Sequence, residues 1–228
     1  MSTYRSMLLT GAMVVGLASE ADAAIFLRAS VSSDGGLSYT ELSTANDAGS
    51  PGQAMLDASG SGITLSIQTA TGNPVLPFPG FSIEGSAFHE PGQGARTLLL
   101  EFSQTGVPTA SGSNMLMSAF ALPILQNAGA VIFTSYADSG NVAFGTQQLL
   151  SQDVFTATGA ADEAVPFNAP GLTYAQTVTM QINFLAGGGG AFAGSAQISS
   201  PIPEPATLGL LAAGLLGLGF AAHRRKAA

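Results

Sequence analysis

Val178, Met180, Ile182 and Phe184 alternate with Thr179, Gln181 and Asn183, and Ile63, Leu65 and Ile67 alternate with Thr64, Ser66 and Gln68. A period of two sends every apolar side chain to one face of an extended chain, and a helix scatters the same residues around its axis. Ile25, Leu27, Ala29 and Val31 repeat the pattern near the start of the chain. These three segments read as half-buried strands. Leu98 to Phe102 and Val131 to Tyr136 are short apolar runs of strand length. Turn-forming clusters separate the segments at Asp34-Gly35-Gly36, Gly72-Asn73-Pro74, Pro91-Gly92 and Asp138-Ser139-Gly140-Asn141. Met115 to Leu125 has the composition to begin as a helix, which Pro123 then interrupts. Gly187 to Gly190 is expected to connect the last two strands, with Ala191 to Ser199 as the final one. Many short strands joined by turns, with no repeat of fixed length, predict an all-β fold: an antiparallel β-sandwich or jelly roll.

Composition narrows the function classes. Only 9% of residues are charged and the net charge is -8, so phosphate is repelled, no basic patch can be assembled, and nucleic acid is not an expected partner. The chain has no cysteine, which removes disulfides, thiolate metal sites and a cysteine nucleophile.

Both ends depart from this texture. Arg5, the apolar stretch Met7 to Ala18 and the small-x-small triplet Ala21-Asp22-Ala23 follow the order of a secretory signal peptide. Residues 1–23 are read as that peptide, with cleavage after Ala23 and Ala21 as the next candidate. Pro201, Pro203 and Pro205 then forbid a regular helix or central strand at the other end. Beyond them, residues 206–222 carry no charge and hold six leucines. At ~1.5 Å per residue a helix there spans about 25 Å, the short limit for a bilayer. Arg224, Arg225 and Lys226 follow, and such charges stay on the cytoplasmic side and orient the span. Gly209, Ala213, Gly217 and Ala221 recur every four residues, which suits close approach by another membrane helix or simply fills a weak span.

Pro203-Glu204-Pro205, the alanine, leucine and glycine span and Arg224-Arg225-Lys226, in this order, resemble the PEP-CTERM sorting tail of exported bacterial proteins, a tail also catalogued as an ice-binding protein C-terminal domain. The resemblance covers residues 201–228. It implies that an exosortase-type membrane protease recognises Pro203, Glu204 and Pro205 and cuts nearby, after transient residence in the inner membrane. It also implies delivery to the cell surface or an extracellular, biofilm-forming exopolysaccharide matrix. About residues 24–200 it implies nothing.

That body holds eleven acids against Arg28 and Arg96 and no lysine, and serine and threonine make up about a fifth of it. Its polar strand faces are therefore built from hydroxyls. His89-Glu90 invites a metal or general-base role, yet Pro91-Gly92-Gln93 follows where a helix and a second histidine are needed. No G-x-S-x-G elbow surrounds any serine. Glu84, Glu90 and Glu101 suit glycoside hydrolysis only if two of them stand ~5 to 10 Å apart, a distance that spacing along the chain does not fix. Asp138-Ser139-Gly140-Asn141 has calcium-type oxygens around a glycine without the alternating acids and distal glutamate of an EF-hand, and reads as a β-turn. Gly92-Gln93-Gly94 precedes a strand, so no helix N-terminus waits to hold phosphate. Thr69 and Thr71, Thr156 and Thr158, and Thr177 and Thr179 form three pairs at irregular intervals, unlike the constant rows that ice binding requires. The twelve phenylalanines of the body read as core.

The expectation is a non-catalytic, cofactor-free surface or exopolysaccharide-matrix protein. The alternative is an extracellular polysaccharide- or calcium-binding module, with Asp138, Asn141, Tyr39, Tyr136 and Tyr174 as first candidates.

Overall fold

The computed structural model describes residues 24–47, 52–71, 80–109, 115–168 and 171–199. They form twelve strands: β1 (Ile25–Ser32), β2 (Thr40–Asn46), β3 (Gln53–Gly60), β4 (Ile63–Thr71), β5 (Gly80–His89), β6 (Arg96–Pro108), β7 (Met115–Gln126), β8 (Ala128–Asp138), β9 (Gln148–Phe155), β10 (Gly159–Pro166), β11 (Thr173–Phe184) and β12 (Gly190–Ser199). One six-stranded sheet, sheet A, has the order β2-β1-β6-β11-β8-β9. The other, sheet B, runs β10-β7-β12-β5-β4-β3. Every pairing is antiparallel. The all-β, two-sheet reading is thus correct for the described residues, which contain no helix. The signal helix, the span at 206–222 and the site residues Pro203, Glu204, Pro205, Arg224, Arg225 and Lys226 lie outside them.

Alternation is what makes the core. Ile63, Leu65, Ile67, Val178, Met180, Ile182 and Phe184 are all buried, as are Ile25, Leu27, Ala29 and Val31, and each set points between the sheets. Phe133 on β8 stacks on Phe120 of β7 with ring centroids 5.0 Å apart, and meets Phe155 of β9 edge-on at 5.6 Å. One apolar cluster therefore ties the two sheets together. Edge strands β2 and β10 carry few large apolar residues, and Glu163 on β10 is exposed although its register partner Ser118 is buried. A charge in that place discourages edge-to-edge pairing with another chain.

The helical start expected from Met115 is not there. Residues 115–126 form β7, in which Leu116, Ser118, Phe120 and Leu122 are buried and Met115 and Met117 are exposed. Apolar residues on both faces had hidden the period of two. Pro123 is accommodated by a bulge. Ala193 pairs with Ile124 but Ser195 pairs with Ala121, so Leu122 and Pro123 together oppose Gly194. A bulge is where a strand tolerates a residue that cannot donate to the ladder. Gly194 itself has no room for a side chain, because a Cβ there would lie 2.7 Å from Phe192 Cζ and 3.1 Å from Phe133 Cζ.

Candidate binding face

Each sheet has an outer face, and the two are finished differently. On sheet A the connection between β8 and β9, residues 139–147, folds back over the sheet. Asp138 starts it as a turn, with its carboxylate accepting from Gly140 N–H at 2.7 Å and its carbonyl accepting from Asn141 N–H at 3.1 Å. Asn141 then accepts from Gly106 N–H through Oδ1 at 2.7 Å, and Ser103 Oγ accepts from Phe144 N–H at 2.9 Å. Asn141 and Phe144 both take positive φ, 57° and 58°, a conformation that asparagine tolerates better than phenylalanine. Phe144 is held there by packing: its ring lies 6.4 Å from that of Phe26 and 4.5 Å beneath the guanidinium of Arg28. Arg28 also donates to both carboxylate oxygens of Glu101, at 2.6 and 2.8 Å. The Glu101 hydrogen bond raises the Arg28 pKa further.

The candidates that the sequence suggests on this side are therefore structural. Asp138-Ser139-Gly140-Asn141 is a β-turn whose side chains are consumed within the protein, Ser139 by Gln147 and Asn141 by Gly106. No group of three or more metal-ligating side chains occurs among the described residues. Tyr174 is buried against Phe167, and burial pushes its phenol up to about 12. Tyr39 and Tyr136 sit elsewhere, in the β1–β2 connection and on β8, so the three tyrosines do not converge.

His89 ends β5 facing inward. It is fully buried, stacks on Phe184 at 5.4 Å, and its Nε2 lies 3.0 Å from the Gly94 carbonyl. Glu90, the next residue, is exposed, so the pair shares no site. Glu84 and Glu101 occupy the outer faces of opposite sheets. Gly92-Gln93-Gly94 lies in the β5–β6 connection, where Gly92 N–H and the Gln93 carbonyl bond to Gly187. The threonine pairs fall on β4, on the β9–β10 connection and on β11, and make no continuous row.

Among the described residues, nothing covers the outer face of sheet B. Register brings the residues together: Ala160, Ala121, Ser195 and Glu84 form one row across four strands, and Asp162, Ala119, Gln197 and Ser82 form the next. β12, third of the six strands, presents only Ala191, Ala193, Ser195, Gln197 and Ser199 outward, and short side chains in the middle of a sheet leave a trough. It holds two adjoining depressions, of about 310 and 430 Å³, that share Glu84 and Ser195. Asp162 lines the larger one, and Pro123, raised by the bulge, lines the smaller. Asp57 lies on the same face, on edge strand β3, opposite Ser66. Neither described arginine is on it, since Arg28 and Arg96 belong to sheet A. Phe88, four residues along β5 from Glu84, exposes 46% of its surface on this face, an exception to the reading of the phenylalanines as core.

Sequence reasoning named Glu84 for a different partnership and missed Asp162, Ser195 and Gln197. The available signal was the alternation of Phe192, Ala196 and Ile198 with Ala193, Ser195 and Gln197, a strand that reserves its bulk for the core.

A family model of the PEP-CTERM protein-sorting motif matches residues 201–226. No curated protein matches the chain in sequence. Among solved structures, the carbohydrate-binding module TmCBM61, solved with beta-1,4-galactotriose, aligns at 9% identity over 61% of this chain and 89% of its own, with a TM-score of 0.28. The mannan-recognising module TmCBM27 aligns at 12% identity over 65% and 84%, also with a TM-score of 0.28. The enzymatically active domain of bacteriophage CBA120 tailspike protein 4 aligns at 11% identity over 63% and 19%, with a TM-score of 0.29.

Proposed function

We propose, from the PEP-CTERM protein-sorting motif that this chain carries, that it is exported, cut by an exosortase-type protease, and installed at the cell surface or in an exopolysaccharide matrix as a non-catalytic component. The observation that carries this reading is the motif match at residues 201–226. Residues 1–23 act as the export signal and residues 24–200 as the delivered body. Pro203, Glu204 and Pro205 are the recognition element. Residues 206–222 hold the chain in the inner membrane until the cut, and Arg224, Arg225 and Lys226 fix its orientation.

The geometry of the body supports a role without catalysis. Glu84 and Asp162 stand three strands and one register row apart, about 16 Å of sheet at the usual strand spacing and rise, wider than the roughly 5 to 9.5 Å that paired glycosidase carboxylates use. Glu101 is occupied by Arg28. The trough supports the second reading, a polysaccharide-binding module, because it is an open surface that mixes methyl groups with hydroxyl, amide and carboxylate groups and runs across four strands.

Mass spectrometry of the mature C-terminus tests the processing. Replacing Pro203, Glu204 and Pro205 with alanine is expected to leave a full-length species in the inner membrane. A mature, surface-exposed protein that retains Leu208 to Phe220 would show a plain anchor and end the processing claim.

A further inference from the structure

The acids of the body divide into two groups. Asp34 accepts from Ser32 and Ser38, Asp47 from Gly52, Glu101 from Arg28, Asp138 from Gly140 and Asp153 from Ser151. The other six, Glu41, Asp57, Glu84, Glu90, Asp162 and Glu163, accept no hydrogen bond from a described residue, and of these only Glu84 and Asp162 line the trough. They stand across the trough from each other, on β5 and β10. Between them lie Ala121, Ser195, Ala119 and Gln197, a floor of methyl groups, one hydroxyl and one amide. Such a floor admits a chain with alternating apolar and hydroxyl-bearing surface to van der Waals contact, and Ser195 and Gln197 offer it both donors and acceptors. The rim demands more. Two unpaired carboxylates, with Asp57 farther along the same face and no described cation on it, repel a polyanion and add little for a neutral chain. They gain most from ammonium groups, through charge-assisted hydrogen bonds.

We infer that the trough between Glu84 and Asp162 binds an extended glycan bearing free amino groups, an amino-sugar polymer at least partly lacking its N-acyl groups. The inference rests on the matrix reading proposed above and names the polymer class that the body would hold. Glu84 and Asp162 each accept from an ammonium, about 16 Å of sheet apart, so one extended oligomer engages both. Single amino sugars reach only one.

The body is acidic throughout, so any polycation is attracted to it to some degree. The experiment must separate site from field. Full-length chain in detergent is titrated calorimetrically with glucosamine oligomers and with their fully N-acetylated counterparts, which have the same backbone and no charge. The amine-bearing oligomer is expected to bind at least roughly tenfold more tightly, and removing both carboxylates (Glu84→Gln with Asp162→Asn) is expected to weaken it by roughly tenfold or more. A charge-matched control, Glu41→Gln with Glu90→Gln, removes the same two charges away from the trough and should retain the affinity within about twofold. Equal binding of the acetylated oligomer, equal loss in the control variant, or no binding of the amine-bearing oligomer would each overturn the proposal. The oligomer comparison on the unaltered protein decides even if a variant fails to fold. A chain that is exported and cut normally but binds neither oligomer would refute this inference alone, whereas an uncut chain would refute the processing claim whatever it binds.

Discussion

The two outer faces of the sandwich are made from the same inventory of serine, threonine, glutamine and acids, and they use it in opposite ways. On sheet A the loop from Ser139 to Gln147 crosses the face, Phe144 is pinned between Phe26 and Arg28, and Glu101 is paired. On sheet B nothing crosses the trough among the described residues, and Glu84 and Asp162 keep their full capacity to accept hydrogen bonds. Internal satisfaction stabilises a fold and leaves little to offer a partner. The open face shows the reverse, so sheet B is the face that can receive a partner and sheet A the face finished for stability.

The strongest test of this contrast goes through what the faces share. Phe133 is fully buried between the sheets and contacts the rings of Phe120, Phe155 and Phe192, so Phe133→Ala should cost about 3–5 kcal/mol. Both faces should suffer together, as a single cooperative melting transition displaced to lower temperature. Loss of only one sheet would mean that the sandwich is two weakly coupled layers. Next in size is Ser103→Ala. Ser103 is fully buried, accepts from Phe144 N–H and lies 3.2 Å from the Gln176 carbonyl. Its removal leaves a backbone donor unpaired and should cost about 1–3 kcal/mol. Hydrogen exchange should rise across residues 139–147 while the trough on the other sheet stays as it was.

How far the sequence carried depended on how local each feature is. β1, β4 and β11 were legible because alternation is written within a single strand, and a register error of one residue would expose Ile63, Leu65 and Ile67 together. β7 was not, because Met115, Met117 and Ala121 put apolar side chains on the outer face and Pro123 needs a bulge that only pairing with β12 reveals. The trough was illegible for a stronger reason. Glu84, Asp162 and Ser195 come from three strands far apart in the chain, and the register that aligns them is set by core packing on the opposite side of the sheet. Glu84, Glu90 and Glu101 were candidates for pairing whose separation the chain does not encode, and the sandwich puts Glu84 and Glu101 on the outer faces of opposite sheets.

Charge removal sharpens the comparison at smaller amplitude. Glu101→Gln breaks a bidentate pair in which Arg28 is 37% exposed and Glu101 15% exposed. A half-solvated pair of this kind is worth about 1 kcal/mol or less. Glu84→Gln removes an identical charge from the open face, where no bond is lost, and surface changes of that sort stay within about 0.5 kcal/mol. Chemical denaturation of the two variants side by side should rank them in that order. If Glu84→Gln were the more destabilising, its carboxylate would have an internal task and the division between faces would fail.

The smallest effect expected is also the one most specific in its pH dependence. Asp34, in the β1–β2 connection, accepts from Ser32 Oγ at 2.5 Å, from Ser38 through both hydroxyl and N–H, and from Leu37 N–H at 3.0 Å. These bonds, that from Ser32 first and those from Ser38 next, hold its carboxyl well below the usual carboxylate range. A depressed acid binds its proton more readily in the unfolded chain than in the folded one. Its contribution is therefore complete above the ordinary aspartate value of about 4 and is lost as pH falls toward the depressed folded value. Asp34→Asn keeps the side chain's size and one acceptor oxygen but has no charge to lose. The melting temperature of the variant should accordingly lie slightly below that of the parent at neutral pH, with the gap closing as pH drops below about 4. Since Asp34 is fully exposed, solvent screening keeps the gap small. A gap that stayed constant with pH would show that the loop is held by the side chain's shape and not by its charge.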